Sequence, residues 1–482
     1  MKKKLVSILM AAAMVLSMTA CGGGNNTGES AKSTEAAGAA NSTEAGQAKS
    51  SEAADETKSG MAEIGETAAN PGGTAESKET QDAADEGDPV TLSLMVTTRP
   101  TTDNKDFYLD WLPELVKEKY PNINVEVEQL PTDQYKQTVR LKFASGQGPD
   151  IFTWWAGLQA KDLVDAGYVK DLSGFSQLGK FKKEIADSYV FDDKNYGIPL
   201  GSSFLTTWYN KEAFEKAGIS QMPENWNQFL ECCEKLKAAG YTPITMGDKQ
   251  SFVVQFGVYQ IGASQIYADN MDFDSQLFTG ETKFTDECWV NTIDKYKTLY
   301  DKGYIIENSL GLSQEQSRQA FLDGRAAMIF DGSFGYDALN KNGAQEFEKG
   351  MFCMPSNDEG KEFVYNLTPS NGVFASANSA NQEAVDQVLE YWFTEGTPLF
   401  EKWVETSSDI SCYEGTWDSR PLVKEYLEKY KDDPSIYNLN NAWPEGVSDM
   451  MCTKFQEVIA GNATAEDVCQ AMQDKFDELN GN

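Results

Sequence analysis

Histidine is absent from the whole chain. That excludes Ser-His-Asp triads, Cys-His dyads and His-ligated zinc together. Cysteine is sparse and unpatterned. Apart from Cys21 there are Cys232, Cys233, Cys288, Cys353, Cys412, Cys452 and Cys469, with no CxxC pair. An odd number of widely spaced internal cysteines is neither a disulfide framework nor a zinc site. They are expected as free, buried, small apolar residues. Basic residues are in deficit, 41 Lys and Arg against 75 Asp and Glu, for a net charge of -34. Such a charge argues against nucleic acid and anionic membrane as partners and favours solubility. No cofactor is expected, and no metal. Asn270, Asp272, Asp274 and Glu281 do follow the spacing of a calcium loop. The position that needs glycine is Ser275, however, and flanking helices are not evident.

Aromatic residues are missing from residues 22–88, which consist of Gly, Ala, Ser, Thr, Glu, Asp, Asn, Gln and Lys with almost no large aliphatic. Such a segment cannot bury enough apolar surface to offset its ordering entropy and reads as a disordered tether. At about 67 residues its root-mean-square reach is roughly 45 Å. Before it, Lys2, Lys3 and Lys4 precede an apolar stretch from Leu5 to Met18. That stretch is too short and wrongly flanked for a spanning helix and reads as a secretion signal. Thr19-Ala20-Cys21 resembles the lipobox of bacterial lipoproteins, with Met18 where leucine is usual. The resemblance implies cleavage before Cys21 and lipidation of its thiol.

The remaining part, about 390 residues, exceeds what one hydrophobic core usually supports, so two domains are expected. Val90 to Val96 alternates as a short strand, and a helix follows around Phe107 to Lys119, stopped before Pro121. Asn124 to Leu130 is a second strand. Thr132 to Ala144 is helical, with Tyr135, Val139 and Phe143 on one face, and Asp150 to Trp154 is a buried third strand. This alternation is the pattern of a parallel sheet with helical crossovers. Further helices are expected at Tyr209 to Gly218, from Asn225 to Gly240, at Cys288 to Lys302, from Ser313 to Gly324, at Gln382 to Phe393 and at Ala465 to Leu479. Asn225 with Gln228, and Ser313 with Gln316, carry capping-box spacing. Arg325 to Phe330 reads as a strand.

Four segments, in order, resemble family 1 bacterial extracellular solute-binding proteins, the sugar receptors of ABC importers. They are Leu141 to Phe152 with its Gly-Pro-Asp turn, Tyr196 to Gly218, Pro223 to Ile244, and Phe321 to Ser333. Asn225 stands for the usual threonine cap, Phe334 for a common tryptophan, and Ser370-Asn371-Gly372 for a commoner double glycine. The resemblance implies an α/β, two-lobed, periplasmic-binding-protein type II fold with a hinge-spanned ligand cleft, preceded by the signal peptide and tether. The expected division is residues 1–20 signal, 21–88 lipidated cysteine and tether, 89–200 with 366–408 the N-terminal lobe, and 201–365 with 409–482 the C-terminal lobe. Crossings between lobes are expected at Tyr196 to Thr206, Asn366 to Ala375 and Ser407 to Tyr413.

Ligands of open α/β sheets sit beyond the carboxyl ends of strands. That points to Arg99 and Asp103, to Trp154 and Trp155, and to Asp331 and Ser333, with Asn371 in a crossing segment. Adjacent Trp154 and Trp155 face opposite ways on a strand, so one is expected in the cleft. Trp417 and Trp443 lie in polar, loop-like surroundings and are further stacking candidates for the C-H face of a sugar. The expected function is capture of a sugar or oligosaccharide and its delivery to the permease subunits of an ABC importer. The expected protein is a monomer without enzymatic activity, lipid-anchored on the outer face of the membrane of a Gram-positive-type cell. The alternatives are a secreted glycoside hydrolase, which needs two carboxylates across a sugar site and no histidine, and a surface sensor or adhesin. Turnover of labelled oligosaccharide separates the first from a receptor; stimulation of a permease ATPase separates the second.

Overall fold

The computed structural model describes residues 88–98, 105–343, 345–415, 420–436 and 439–481, all within the second of two units, 82–482. The expected signal peptide, Cys21 and expected tether before Asp88, together with Arg99, Asp103 and Trp417, lie outside the described residues. Among the described residues no helix is long and apolar enough to cross a membrane.

Two sheets organise the fold, each with its own helices and core. In the first, the strands run in the order Ile123–Leu130, Val90–Thr97, Ile151–Trp154, Gly372–Ala375, Ile198–Pro199. The first three are parallel and joined by helices; Gly372–Ala375 returns antiparallel beside Ile151–Trp154. Leu92, Leu94 and Val96 face one side and pack with Trp392 and Leu389. Met95 and Phe152 face the other, against the helix Thr132–Ala144. That helix buries Tyr135, Val139 and Phe143, its single apolar stripe, and the Tyr135 hydroxyl donates to the carbonyls of Met95 and Thr153. One buried side chain thus ties the helix to two strands near their carboxyl ends.

The expected helix from Phe107 to Lys119 begins instead as a π turn, Phe107–Trp111, before the α-helix Leu112–Lys119. Pro113 has no N–H for an i→i−4 bond, so the hydrogen-bond pattern changes register just ahead of it. The Asp106 carboxylate caps the turn, accepting from the amides of Tyr108 and Leu109.

In the second sheet the order is Lys349–Phe352, Leu205–Asn210, Ala326–Gly332, Thr242–Thr245. Tyr209 was expected to open a helix and instead belongs to the strand Leu205–Asn210. The helix is Lys211–Lys216, capped by the Asn210 side chain, which accepts from the Ala213 amide. The long-range ladder to Ala326–Gly332 and Lys349–Phe352 outweighs the local helical pattern. The Ser313–Gln316 box is reciprocal, whereas Gln228 accepts from Glu224 rather than from Asn225. The seven internal cysteines are unpaired, six of them buried.

Three extended segments join the sheets side by side. Ser202–Ser203 pairs antiparallel with Thr368–Pro369 and, on its other side, exchanges both backbone hydrogen bonds with Ile410 at 2.8 Å. Gly201 sits at this junction because a Cβ there would stand 2.6 Å from Asp409 Cβ and 2.7 Å from the Ile410 carbonyl oxygen. In the third crossing segment Ile410 packs in the core beside the second sheet, Cys412 and Tyr413 pack back in the first core, and the helix Pro421–Tyr430 then joins Ile410 beside the second sheet.

Candidate functional site

A cavity of about 230 Å³ lies between the two sheets, floored by the crossing segments. From the first sheet come Thr97 and Thr98, which follow Val96, Trp155 just beyond Ile151–Trp154, and Thr132 at the start of its helix. Val90–Thr97 lies between Ile123–Leu130 and Ile151–Trp154, so this is where the strand order reverses, the expected place for a ligand. From the second sheet's side come Phe252, Gln255, Phe256 and Tyr259, on one 3-10 turn and the helix Gln255–Tyr267 that follows it. Gln314, Arg318 and Phe334 complete that wall. Ser203, Thr368, Ser370, Asn371, Ser408 and Asp409 form the floor, and Asn440 and Asn441 the rim.

The wall is therefore aromatic rings interleaved with amides and hydroxyls. Phe256 stands 6.1 Å from Phe252 and 5.7 Å from Phe334, ring centre to ring centre. Across the cleft the Trp155 ring carries Lys136 Nζ at 4.8 Å. Asp409 accepts a hydrogen bond from Ser370 Oγ at 2.8 Å. Burial raises the Tyr259 hydroxyl well above its ordinary range, so it stays protonated at neutral pH.

Beside the cavity the two sheets' elements touch through polar groups. Gln159 Nε2 donates to the carbonyls of Asn440 and Trp443. Lys136 lies 3.6 Å from Glu445 and 3.7 Å from Asp449, and Arg140 also pairs with Glu445.

The residues expected at the site divide. Trp155 stands on the cleft wall and Asn371 on its floor. Trp154 does not: it is fully buried, with Nε1 donating to the Gln159 carbonyl and Arg140 over its ring. Strand alternation turns it into the core that Tyr135 and Phe152 share. Trp443 is also buried; its Nε1 donates to Asp274 and its ring packs on Phe284 and Trp289. A polar local sequence concealed a long-range apolar contact. Asp331 is wholly buried and engages Arg318 rather than the cavity, and Ser333 is buried with Oγ accepting from the Phe204 amide. Both hold the wall from behind.

Phe252, Phe256, Tyr259 and Arg318 were missed. The helix Gln255–Tyr267 is buried almost all round, so no polar face marked which residues meet the cleft. Among the described residues no group of three or more His, Cys, Asp or Glu could hold a metal ion. In the calcium-like run, Asp274 turns inward to Trp443 and Tyr267, and Phe273–Leu277 is helical. Burial raises the Asp274 carboxyl to about 6, the two hydrogen bonds offsetting part of that rise.

The profile of the bacterial extracellular solute-binding protein family matches residues 104–397. The chain belongs to this family. A putative binding protein of Brucella abortus is 26% identical over 295 residues, 59% of this chain and 68% of its own length. The multiple sugar-binding protein of Streptococcus mutans is 23% identical over 318 residues, 65% of this chain and 71% of that one. Among solved structures, a chitin oligosaccharide binding protein superposes with a TM-score of 0.73 at 23% identity, over 82% of this chain and all of the other. These solute-binding relatives are named as binding proteins, and the two-lobed α/β fold is the one the four sequence segments implied.

Proposed function

We propose that this solute-binding protein captures a sugar or oligosaccharide between its two lobes and delivers it to the permease of an ABC importer. The carrying observation is the cleft itself: Trp155, Phe252, Phe256 and Phe334 supply ring faces, and Gln255, Gln314, Asn371, Asn440 and Asn441 supply amides. Aromatic faces suit the C-H surface of a pyranose, and amides suit its hydroxyls. The relatives named for sugar and chitin oligosaccharide support the same class. In this reading the first lobe comprises 89–200 with 366–408, extended to Tyr413 by its packing, and the second comprises 201–365 with the remaining C-terminal residues.

The crossing segments act as the hinge, and ligand binding favours the closed arrangement that a permease recognises. We place the protein outside the cell, monomeric, and held to the membrane by a lipid on Cys21 through the tether. It performs no chemistry. Among the described residues lining the cleft, Asp409 is the one carboxylate, and glycoside hydrolysis needs two.

The test is calorimetry and thermal shift with raffinose, maltotriose and triacetylchitotriose. At 100 times the dissociation constant a bound glycan should stabilise the protein by about 2.7 kcal/mol. Stoichiometric binding without turnover is expected. Hydrolysis, or no shift with any glycan, overturns the reading.

A further inference from the structure

Arg318 is the one cation among the described residues that line the cleft. It is buried, on the helix Gln314–Leu322, four residues after Gln314 and therefore on the same face. Its Nε donates to Asp331 Oδ2 at 2.7 Å and its Nη2 to Oδ1 at 3.0 Å. Asp331 is fully buried and also accepts from the Gly332 amide at 2.8 Å. The pair is walled in: a Cβ on Gly335 would come within 2.9 Å of Asp331 Oδ1 and 3.3 Å of Arg318 Nη2. Burial alone would loosen the guanidinium proton, but the Asp331 charge more than restores it, so Arg318 stays cationic. The fork fixes two nitrogens of the guanidinium. Nη1 has no acceptor among the described residues.

Resting on the carbohydrate reading of the cleft, we propose that the Arg318–Asp331 pair selects neutral over acidic sugars. Arg318 offers Nη1–H donors to a sugar oxygen, and Asp331 cancels the charge that would otherwise attract a carboxylate. A guanidinium in a bidentate pair presents directional donors but, a few ångströms away, little net charge. The other charged group among the described residues that line the cleft is the floor's Asp409, which is itself hydrogen-bonded by Ser370 Oγ and adds no positive charge for an acidic ligand. The chain as a whole carries -34 and repels an acidic ligand at longer range. Arg318 contacts the sugar in this proposal; Asp331 is a positioning residue that acts through it.

The experiment measures dissociation constants of raffinose, maltotriose, triacetylchitotriose and trigalacturonic acid at low and high salt, on the full protein and two variants. The unaltered protein should bind at least one neutral glycan at least tenfold tighter than trigalacturonate, with little salt dependence. Asp331→Asn leaves the guanidinium charge uncancelled. The ratio of affinities should then move at least tenfold toward trigalacturonate, and that binding should weaken with salt. A purely structural role would weaken both classes together and leave the ratio alone. The double variant Arg318→Gln with Asp331→Asn buries no unpaired charge, so it keeps the test alive should the single variant not fold. It should lose at least tenfold in neutral-glycan affinity and gain no acidic preference.

A preference of the unaltered protein for trigalacturonate, an unmoved ratio in Asp331→Asn, or undiminished neutral binding by the double variant overturns the selector while leaving the carbohydrate reading intact. Binding of none of the four glycans overturns the carbohydrate reading and this inference with it.

Discussion

Replacing Asp248 with Asn should change how stability depends on pH, by an amount the structure fixes. Asp248 follows the strand Thr242–Thr245 and is wholly buried. Its Oδ2 accepts from the Tyr300 hydroxyl at 3.0 Å. Burial raises its carboxyl from 3.8 to about 6, and the Ser309 and Tyr300 hydroxyls offset part of the rise. The folded protein therefore holds this proton more tightly than the unfolded chain does. Stability from this group falls as pH rises through the window from about 4 to about 6, and the deficit is complete above it. The full deficit is about 3 kcal/mol, of which about 2 kcal/mol falls between pH 4.5 and 7.5.

Asn has the same shape and never ionises. Relative to the unaltered protein, Asp248→Asn should gain about 2 kcal/mol between pH 4.5 and 7.5. Losing or rotating a hydrogen bond adds an offset that is the same at every pH. The other carboxyls, Asp274 among them, are common to both proteins and cancel in the difference. Urea denaturation followed by tryptophan fluorescence across that range measures it. A difference between the two proteins that stays flat with pH would refute the reasoning. The measurement bears on the site, because Gln250, two residues on, accepts from the Gln314 amide on the cleft wall.

Trp155→Ala should weaken glycan binding by roughly 2 kcal/mol with little change in the melting temperature of the free protein, whereas Trp154→Ala should cost about 3 to 5 kcal/mol of stability. Calorimetry and melting curves on both decide it, and the reverse pattern would exchange their places. Glu445→Gln with Asp449→Asn removes the anions that meet Lys136 and Arg140 from the second lobe, leaving Arg140 its Asp162 partner. The lobes of the unliganded protein should then open, read by small-angle scattering as a larger radius of gyration, and 0.5 M salt, where the Debye length is about 4 Å, should mimic the change in the unaltered protein. Identical scattering profiles would show these pairs to be incidental. Cys21→Ser should release the protein from the membrane or leave its leader uncleaved; retention on the membrane at the mature size is incompatible with a lipid on that thiol.

Local rules carried well where the partner of a residue lies close in sequence. The helices Thr132–Ala144 and Gln382–Phe393 begin and end where their apolar stripes do, and the Ser313 cap forms as its spacing requires. They failed where the partner is remote. Tyr209 has a helical neighbourhood but pairs with Met328 and Gly350 across the sheet. Trp443 sits in a polar run yet finds Asp274, Phe284 and Trp289. At the site, the chain positions that face the cleft were legible as strand ends, but side-chain direction was not. Asp331 points back to Arg318, thirteen residues earlier. Phe252, just before the helix Gln255–Tyr267, and Phe256 within it could not be told from core because that helix is buried almost all round.

Three passages between the lobes is an odd number. The chain enters the described fold at Val90–Thr97 in the first sheet and leaves it from Ala465–Asn480, which packs in the second lobe's core. Its two ends therefore ride on different bodies, and any rotation about Gly201 and Ile410 changes the distance between them. A donor dye just before Val90 and an acceptor near Leu479, which is exposed, would make the molecule its own gauge of domain rotation. Neither label would need to enter the cleft, and the readout would work before any ligand is known.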